Sequence, residues 1–398
     1  MNNNNKMTAL ELRSSMSLSM VFFLRMLGLF LVLPVFALYA EHLQGATPTL
    51  TGIALGCYGL SQALFQIPFG ILSDRIGRKQ VIVTGLLIFI AGSIIAALAD
   101  SIYWVIVGRA LQGTGAIAAA IMALAADLTR ENQRSKAMAL IGISVGIAFT
   151  LAFVAGPSLN PLIGVPGLFL LAACLAGLAI FILLAVVPTP DPSNLHRGDQ
   201  PVLKDLLHVV FDKKLFKFNL SIFTLHMLLV ASFISIPLTL RDAAGLDPSV
   251  HWHMYLPVLL ISAFLMLPFL FYGEKHNKVN IFFAGGIALM IVAQFGLYFW
   301  HSTIEIFLLL ILFFLSFNYL EATLPALISK TAPPAKKGAA LGVFSTSQFI
   351  GTFIGGLTGG HIYGRFGISS VFLFGGFVSL IWLVTILFMQ NPMEHNRL

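Results

Sequence analysis

The chain has 398 residues, of which 58% are hydrophobic and only 10% charged, with a mean hydropathy of +0.92. A soluble domain carries roughly 25% charged residues, so these proportions exclude a water-soluble globular enzyme. The two cysteines, Cys57 and Cys174, lie in apolar runs and read as free core thiols, offering neither a disulfide framework nor a metal cluster.

Apolar stretches bounded by polar loops predict membrane-crossing helices at 16–40, 48–72, 79–99, 102–126, 136–160, 165–187, 216–240, 252–272, 279–300, 303–329, 338–362 and 367–390, twelve in all. At ~20–25 residues per crossing they leave only short connections, with no room for a separate catalytic or nucleotide-binding domain. Pro34, Pro68, Pro237, Pro268 and Pro325 fall inside them, which membrane helices tolerate because neighbours re-satisfy the freed backbone groups. The first span follows a short polar start, is too long for a removable signal peptide and lacks a small-residue cleavage site.

The net charge of +7 is a topology signal. Of the 23 Lys and Arg, 19 fall in the N-terminal segment, the even-to-odd loops and the C-terminal tail; Arg241 and Arg365 sit on the opposite side, and Arg25 and Arg109 lie within helices. The positive-inside rule therefore predicts that both termini are cytoplasmic, and nucleic acid is not an expected partner. The longest connection, 188–215, divides a six-helix half at 1–187 from another at 216–398. Its stretch 201–217 places Leu203, Leu206, Leu207 and Val210 on one helical face, the pattern of an amphipathic helix on the membrane surface; a solvated linker is the plainer reading.

The halves repeat at an offset of 200. Asp74, Arg75 and Arg78 match Glu274, Lys275 and Lys278; Arg13 matches Lys213; Arg130 and Lys136 match Lys330 and Lys336; Gly142 and Gly156 match Gly342 and Gly356. Parallel halves around a central cavity are a transporter architecture with substrate bound near mid-membrane.

Between the second and third spans the chain reads Gly70-Ile-Leu-Ser-Asp74-Arg75-Ile-Gly77-Arg78-Lys79. This matches the G-x-x-x-D-R-x-G-R-K signature of the major facilitator superfamily at every specified position. The fourth span carries Arg109-Ala-Leu-Gln112-Gly113-Thr-Gly115, which resembles the same superfamily's R-x-x-Q-G motif. The fifth carries Gly142, Gly146 and Gly156-Pro157, similar to the glycine–proline motif of its drug:proton exporters, although the expected glycine pair after Pro157 is replaced by Ser158-Leu159. The pattern looks closest to the YajR-type group of proton-driven exporters, some of which carry an extra cytosolic C-terminal domain; this chain ends shortly after its twelfth span. The resemblance implies an all-α membrane protein of twelve transmembrane helices in two pseudo-symmetric six-helix halves, the major facilitator fold. It also implies that Asp74 and Arg78 form a cytoplasmic latch with Asp127 that favours an outward-open state. The plainer reading is that these charges only fix loop geometry and topology. The second-half loop keeps Glu274, Lys275 and Lys278 but lacks the glycines, so the latch is expected to be one-sided.

A charge in a membrane helix costs ~2.5–3.5 kcal/mol on insertion scales, so it normally faces a cavity or a partner. Arg25, Arg109 and Glu321 are such charges. Glu321 lies one turn from Asn318 and one turn before Pro325; it is the candidate proton carrier, with a fixed ion pair to an arginine as the alternative. Arg109 and Gln112 share a face, expected to point into the cavity. Tyr58, Gln62 and Gln66 form one stripe, and Ser345, Gln348 and Thr352 another; each stripe either lines a substrate path or bonds helices together. His226 is a further proton-coupling candidate, with an interhelical hydrogen bond as the plainer role. Two histidines at the outer edge, His251 and His253, are too few for a metal site. Of 35 phenylalanines, 24 follow residue 200, facing either lipid or an aromatic cavity wall. Gly142, Gly146, Gly351, Gly355 and Gly359 have the spacing of close helix packing, and with Gly156 and Pro157 they read as hinges or seams between the halves and not as binding groups.

These readings define a bacterial inner-membrane transporter and not an enzyme. It is expected to use no cofactor or metal, to act as a monomer in the bilayer, and to exchange protons for a small-molecule substrate. Hydrophobic drug-like compounds are what the resemblance implies. A small anionic metabolite recognised by Arg25 and Arg109 is the alternative. There is no Walker-type G-x-x-x-x-G-K-[ST] and no H-E-x-x-H to support a membrane-embedded enzyme.

Overall fold

The computed structural model describes residues 6–189, 209–276, 278–300, 302–333 and 336–389, with the side chain of Glu274 also left out. Among them, eleven helices are long and apolar enough to cross a membrane, and there is no β-strand beyond one isolated bridge between Gln44 and Ser101.

Helix α1, Ala9–Phe30, begins with a capping box: the Thr8 hydroxyl accepts from the Glu11 N–H, and the Glu11 carboxylate accepts from the Thr8 N–H. The predicted first span does not run unbroken to residue 40. The chain turns at 31–35, where Pro34 has no N–H to donate, and resumes as the short α2, Phe36–Ala40. Helix α3, Pro48–Ile76, leads to α4, Arg78–Ala97, through Gly77 alone. The fourth predicted span is also broken, into α5, Ile102–Thr114, and α6, Ala118–Asp127.

Helix α7, Glu131–Ala185, spans 55 residues, but Gly164 inside it has φ +66° and ψ 173°. At ~1.5 Å per residue a straight helix of that length would run far past a ~30 Å hydrocarbon layer. The break divides it into the predicted fifth and sixth spans, consistent with twelve crossings in all. The second half comprises α8, Lys213–Asp242; α9, His251–Lys275; α10, Val279–Phe299; α11, Thr303–Thr331; α12, Lys337–Phe366; and α13, Ser369–Met389.

The helices gather into two compact units, Met1–Ala46 with Cys57–Gln200, and Thr47–Gly56 with Pro201–Leu398. In the first, α7 packs against α1 and α4; in the second, α8 is the central helix, with α11, α12 and α13 against it. Residues Thr47–Gly56, which include the first nine residues of α3, belong to the second unit, where a Cβ on Gly52 would lie 2.0 Å from the Gly356 carbonyl oxygen.

Helix α8 is buried along most of its length, including its polar residues Asn219, Ser221, Thr224, His226, Ser232 and Ser235. Of the expected interfacial helix at 201–217, residues 201–208 lie outside the described residues. Its last five residues, Lys213–Lys217, open α8, whose N-cap is the Asp212 carboxylate accepting from the N–H groups of Lys214 and Leu215. Cys57 is buried, but Cys174 is exposed and not a core thiol: on an apolar helix, lipid accepts a thiol as readily as the core does. Phe264, Phe271, Phe299 and Phe388 are likewise exposed.

Candidate functional site

Three polar clusters hold the residues singled out in the sequence. The first surrounds the α3–α4 turn. Gly77, at φ +110°, occupies a backbone conformation that L side chains rarely adopt. It swings Arg78 back toward Asp74, with which Arg78 forms an ion pair. The same guanidinium donates through Nε to Asp127 at 3.2 Å and through Nη1 to the Ser73 hydroxyl at 2.8 Å. The expected trio of Asp74, Arg78 and Asp127 is thus assembled around one guanidinium. Arg75 is exposed, and Lys79 donates to the Val187 carbonyl at the end of α7. A built Cβ on Gly70 would make only ordinary contact with Ala119, at 3.5 Å, and one on Gly77 would meet only the Gln80 side chain, so neither glycine marks a close approach of backbones. In the matching second-half loop the Glu274 side chain lies outside those described, and with it the expected one-sidedness of the latch.

The second cluster fills the first unit. Arg25 is 1% exposed and has no carboxylate partner among the described residues: Nη2 donates to Gln62 Oε1 at 3.1 Å and to the Gly115 carbonyl at 2.9 Å. Its guanidinium lies 5.6 Å from the Phe89 ring centroid and 6.0 Å from that of Tyr58. The break between α5 and α6 supplies the counter-charge. Gly115, at φ −71° and ψ 56°, forms an inverse γ-turn in which the Ala116 N–H donates to the Thr114 carbonyl at 2.8 Å. The carbonyls at the end of α5 are thereby left without helical donors, and they carry the negative pole of its dipole. Arg25 meets that pole. Sequence reasoning missed this partnership, although a second glycine after Gln112-Gly113 marked where the helix breaks.

Tyr58, Gln62 and Gln66 do form one chain: the Tyr58 hydroxyl donates to Gln62, and the Gln62 amide reaches Gln66 at 3.5 Å. Arg109 donates to Gln112 at 2.9 Å and lies 5.3 Å from the Tyr58 ring centroid, while Gln112 donates to Ser93 at 2.7 Å. These bonds connect α3, α4 and α5 inside the unit, and Arg109 is 5% exposed.

The third cluster lies in the second unit and joins Glu321 of α11, His226 of α8 and Gln348 of α12. His226 Nδ1 lies 3.3 Å from the Ile222 carbonyl, which can only accept, so Nδ1 carries the hydrogen. Nε2 then accepts from the Gln348 amide at 2.7 Å. Glu321 Oε2 is 3.8 Å from His226 Nδ1 and is buried with no hydrogen-bond partner among the described residues. The neighbour of Glu321 is therefore His226, neutral in this tautomer, and among the described residues no arginine pairs with Glu321 as the alternative reading expected. Asn318, although near Glu321 along α11, turns to the Ser262 hydroxyl of α9 at 3.1 Å. Thr352 closes onto the Gln348 carbonyl at 3.2 Å, and Ser345 is half-buried.

The glycines divide into two groups. A Cβ on Gly351, Gly355 or Gly359 would lie 2.2 Å from Phe223 O, 2.2 Å from Met227 O and 2.8 Å from Ala231 Cα respectively, so α12 lies backbone to backbone on α8. A Cβ on Gly156 would lie 2.3 Å from the Leu31 carbonyl oxygen and 3.3 Å from the Pro34 ring, and Pro157 beside it is buried; these close contacts fall within each unit, where the expectation was a seam between the halves. Gly142 and Gly146 do not make the close packing expected of them: nothing lies within 4 Å of a built Cβ at either. Their spacing is that of a seam, but the seam is not formed among the described residues.

The chain belongs to the Major Facilitator Superfamily, whose pattern matches residues 18–267 and 218–398; it is a multi-pass membrane protein of a transporter family. It is 47% identical to the inner membrane transport protein YajR of Escherichia coli, over 98% of this chain and 86% of that one. It is 28% identical to the multidrug resistance protein MdtH of Proteus mirabilis, over 85% of this chain and 84% of that one. The fold matches that of a bacterial homologue of the human lysosomal transporter Spinster with a TM-score of 0.81 at 13% identity, covering 98% and 99% of the two chains.

Proposed function

We propose that this transporter works by proton-coupled alternating access, exporting small hydrophobic or drug-like compounds across a bacterial inner membrane in exchange for protons. The observation that carries the coupling is the third cluster: a membrane carboxylate with one oxygen unpartnered, beside a histidine whose N–H already has a backbone acceptor. A carboxylate oxygen left without a partner at that depth is available to a proton or a cation that enters the bundle. Each proton moving inward down a 100 mV potential supplies ~2.3 kcal/mol. The multidrug resistance relative supports export of drug-like compounds, and the positive-inside count supports cytoplasmic termini. The Asp74–Arg78–Asp127 contacts support a cytoplasmic latch.

The alternative substrate, a small anion held by Arg25 and Arg109, is less well supported. Arg25 is committed to Gln62 and to the end of α5, leaving it no exposed surface to offer.

The test uses inverted membrane vesicles carrying wild type or Glu321→Gln, energised to an acid interior and followed with a pH dye while lipophilic cations, neutral drugs and organic acids are added singly. Collapse of the gradient by a lipophilic cation or neutral drug with wild type only is the expected result. Collapse with both proteins would move the proton carrier away from Glu321. A response confined to organic acids, and lost in Arg25→Gln, would favour the anion reading.

A further inference from the structure

Glu11 was not among the residues marked by the sequence, yet it accepts more hydrogen bonds than its cap requires. Beyond the Thr8 N–H at 2.7 Å, its Oε1 accepts from the Arg130 backbone N–H at 2.9 Å and from Arg130 Nε at 2.8 Å, and its Oε2 accepts from Arg130 Nη2 at 2.9 Å. Nη2 also donates to the Lys6 carbonyl at 2.9 Å. Glu11 is 5% exposed while the Arg130 side chain is 41% exposed, so this is a two-pronged pair anchored on a buried carboxylate, with its guanidinium at the surface.

The backbone N–H in this set matters most. Arg130 is the N-cap of α7, so a bond to its N–H fixes the chain itself, where a bond to the side chain alone would not. Asp127, the last residue of α6, leaves the other end of the same short turn. Only Leu128 and Thr129 intervene, and the Thr129 hydroxyl is tied back to the Ala125 carbonyl at 2.7 Å. A displacement of Arg130 is therefore passed to Asp127 with little slack.

We propose that Glu11 and Arg130 are positioning residues for the latch: they hold the α6–α7 turn on the first turn of α1, so that Asp127 stands where the Arg78 Nε–H can reach it. The proposal rests on the latch reading above. The N-terminal residues 6–11 are then part of the device that biases the transport cycle and not only the start of a helix. Arg130→Lys keeps the charge but loses the fork, so it retains only part of the effect.

The test measures the balance between transport states in full-length protein in lipid nanodiscs, by pulsed electron resonance between spin labels at Ser135 and Lys337, both exposed, with Cys57 and Cys174 replaced. Asp127→Asn is expected to shift the population ratio by about five-fold, the lower end of ordinary coupling between sites. Glu11→Gln is expected to shift it in the same direction, Arg130→Lys by less, and Glu11→Gln combined with Asp127→Asn by no more than Asp127→Asn alone. A lowered melting temperature in Glu11→Gln with an unchanged ratio would make Glu11 merely structural and overturn the proposal. So would full additivity in the double variant, because Glu11 would then act without Asp127. No shift in Asp127→Asn itself would refute the latch reading, whatever Glu11 does.

Discussion

The α8–α12 seam makes a prediction whose size can be worked from distances. Replacing Gly351 by Ala places a Cβ 2.2 Å from the Phe223 carbonyl oxygen. Moving that carbon out to ordinary contact near ~3.5 Å parts the helices by a little over 1 Å. One turn away, the 2.7 Å bond between Gln348 and His226 would then stretch beyond hydrogen-bonding reach. Overpacking costs ~1–3 kcal/mol and the lost bond ~0.5–1.5 kcal/mol, while alanine regains ~0.5–1 kcal/mol of helix stability. The net is a loss of about 0.5–4 kcal/mol, or ~1–16 °C in melting temperature for a unit of about 200 residues. Thermal unfolding of the purified protein in detergent measures it. Gly142→Ala, with nothing within 4 Å, keeps only the helix gain and should be neutral or slightly stabilising. If the two variants melt together, the reading of the seam is wrong.

Gly77→Ala forces a side chain into φ +110° and against the Gln80 amide; it should lose ~1–2 kcal/mol and weaken the latch, seen as a lower melting temperature with a shifted spin-label distance. Arg25→Lys supplies one ammonium where Gln62 and the Gly115 carbonyl are now both bonded by a planar group lying near two rings. A loss of ~1–3 kcal/mol is expected, and equal stability to wild type would deny Arg25 its role at the α5–α6 break. At the 240s turn, the Asp247 carboxylate accepts from the Ser249 N–H and hydroxyl, which holds its pKa below the usual aspartate value. A depressed folded value means the cap is intact at neutral pH and is lost as pH falls through that value. Exchange of the Ser249 amide, corrected for its intrinsic pH dependence, should rise on acidification in wild type and show no such step in Asp247→Asn.

The membrane spans were legible because hydrocarbon demands long apolar runs, and the α3–α4 turn because Gly77 and Arg78 act within a few residues of each other. What was hidden depends on contacts distant in sequence. Arg25 is 90 residues from Gly115, and its counter-charge is a helix end, which no side-chain census shows. The break after the fifth span was legible even without a polar loop, because the predicted boundary between 160 and 165 brackets Gly164, which turns the chain at φ +66°. Gly142 and Gly146 misled because glycine spacing reports only that a neighbour is allowed, not that one is present. Glu11 was overlooked because a first-turn glutamate is common enough as a cap to need no other explanation.

The reversal at Gly164 has a consequence for how the protein enters its membrane. From Ala137 to Pro190 no side chain is charged, and Leu162 at the tip of the turn is 78% exposed. The insertion machinery therefore has no charged or hydrophilic loop to carry across between these two crossings. They are suited to partition into lipid together as one hairpin, with their orientation dictated entirely by the basic residues before and after it. A single lysine introduced at Leu162 would give that hairpin its first cargo to translocate, so biogenesis and not folded stability is where such a change should be felt first.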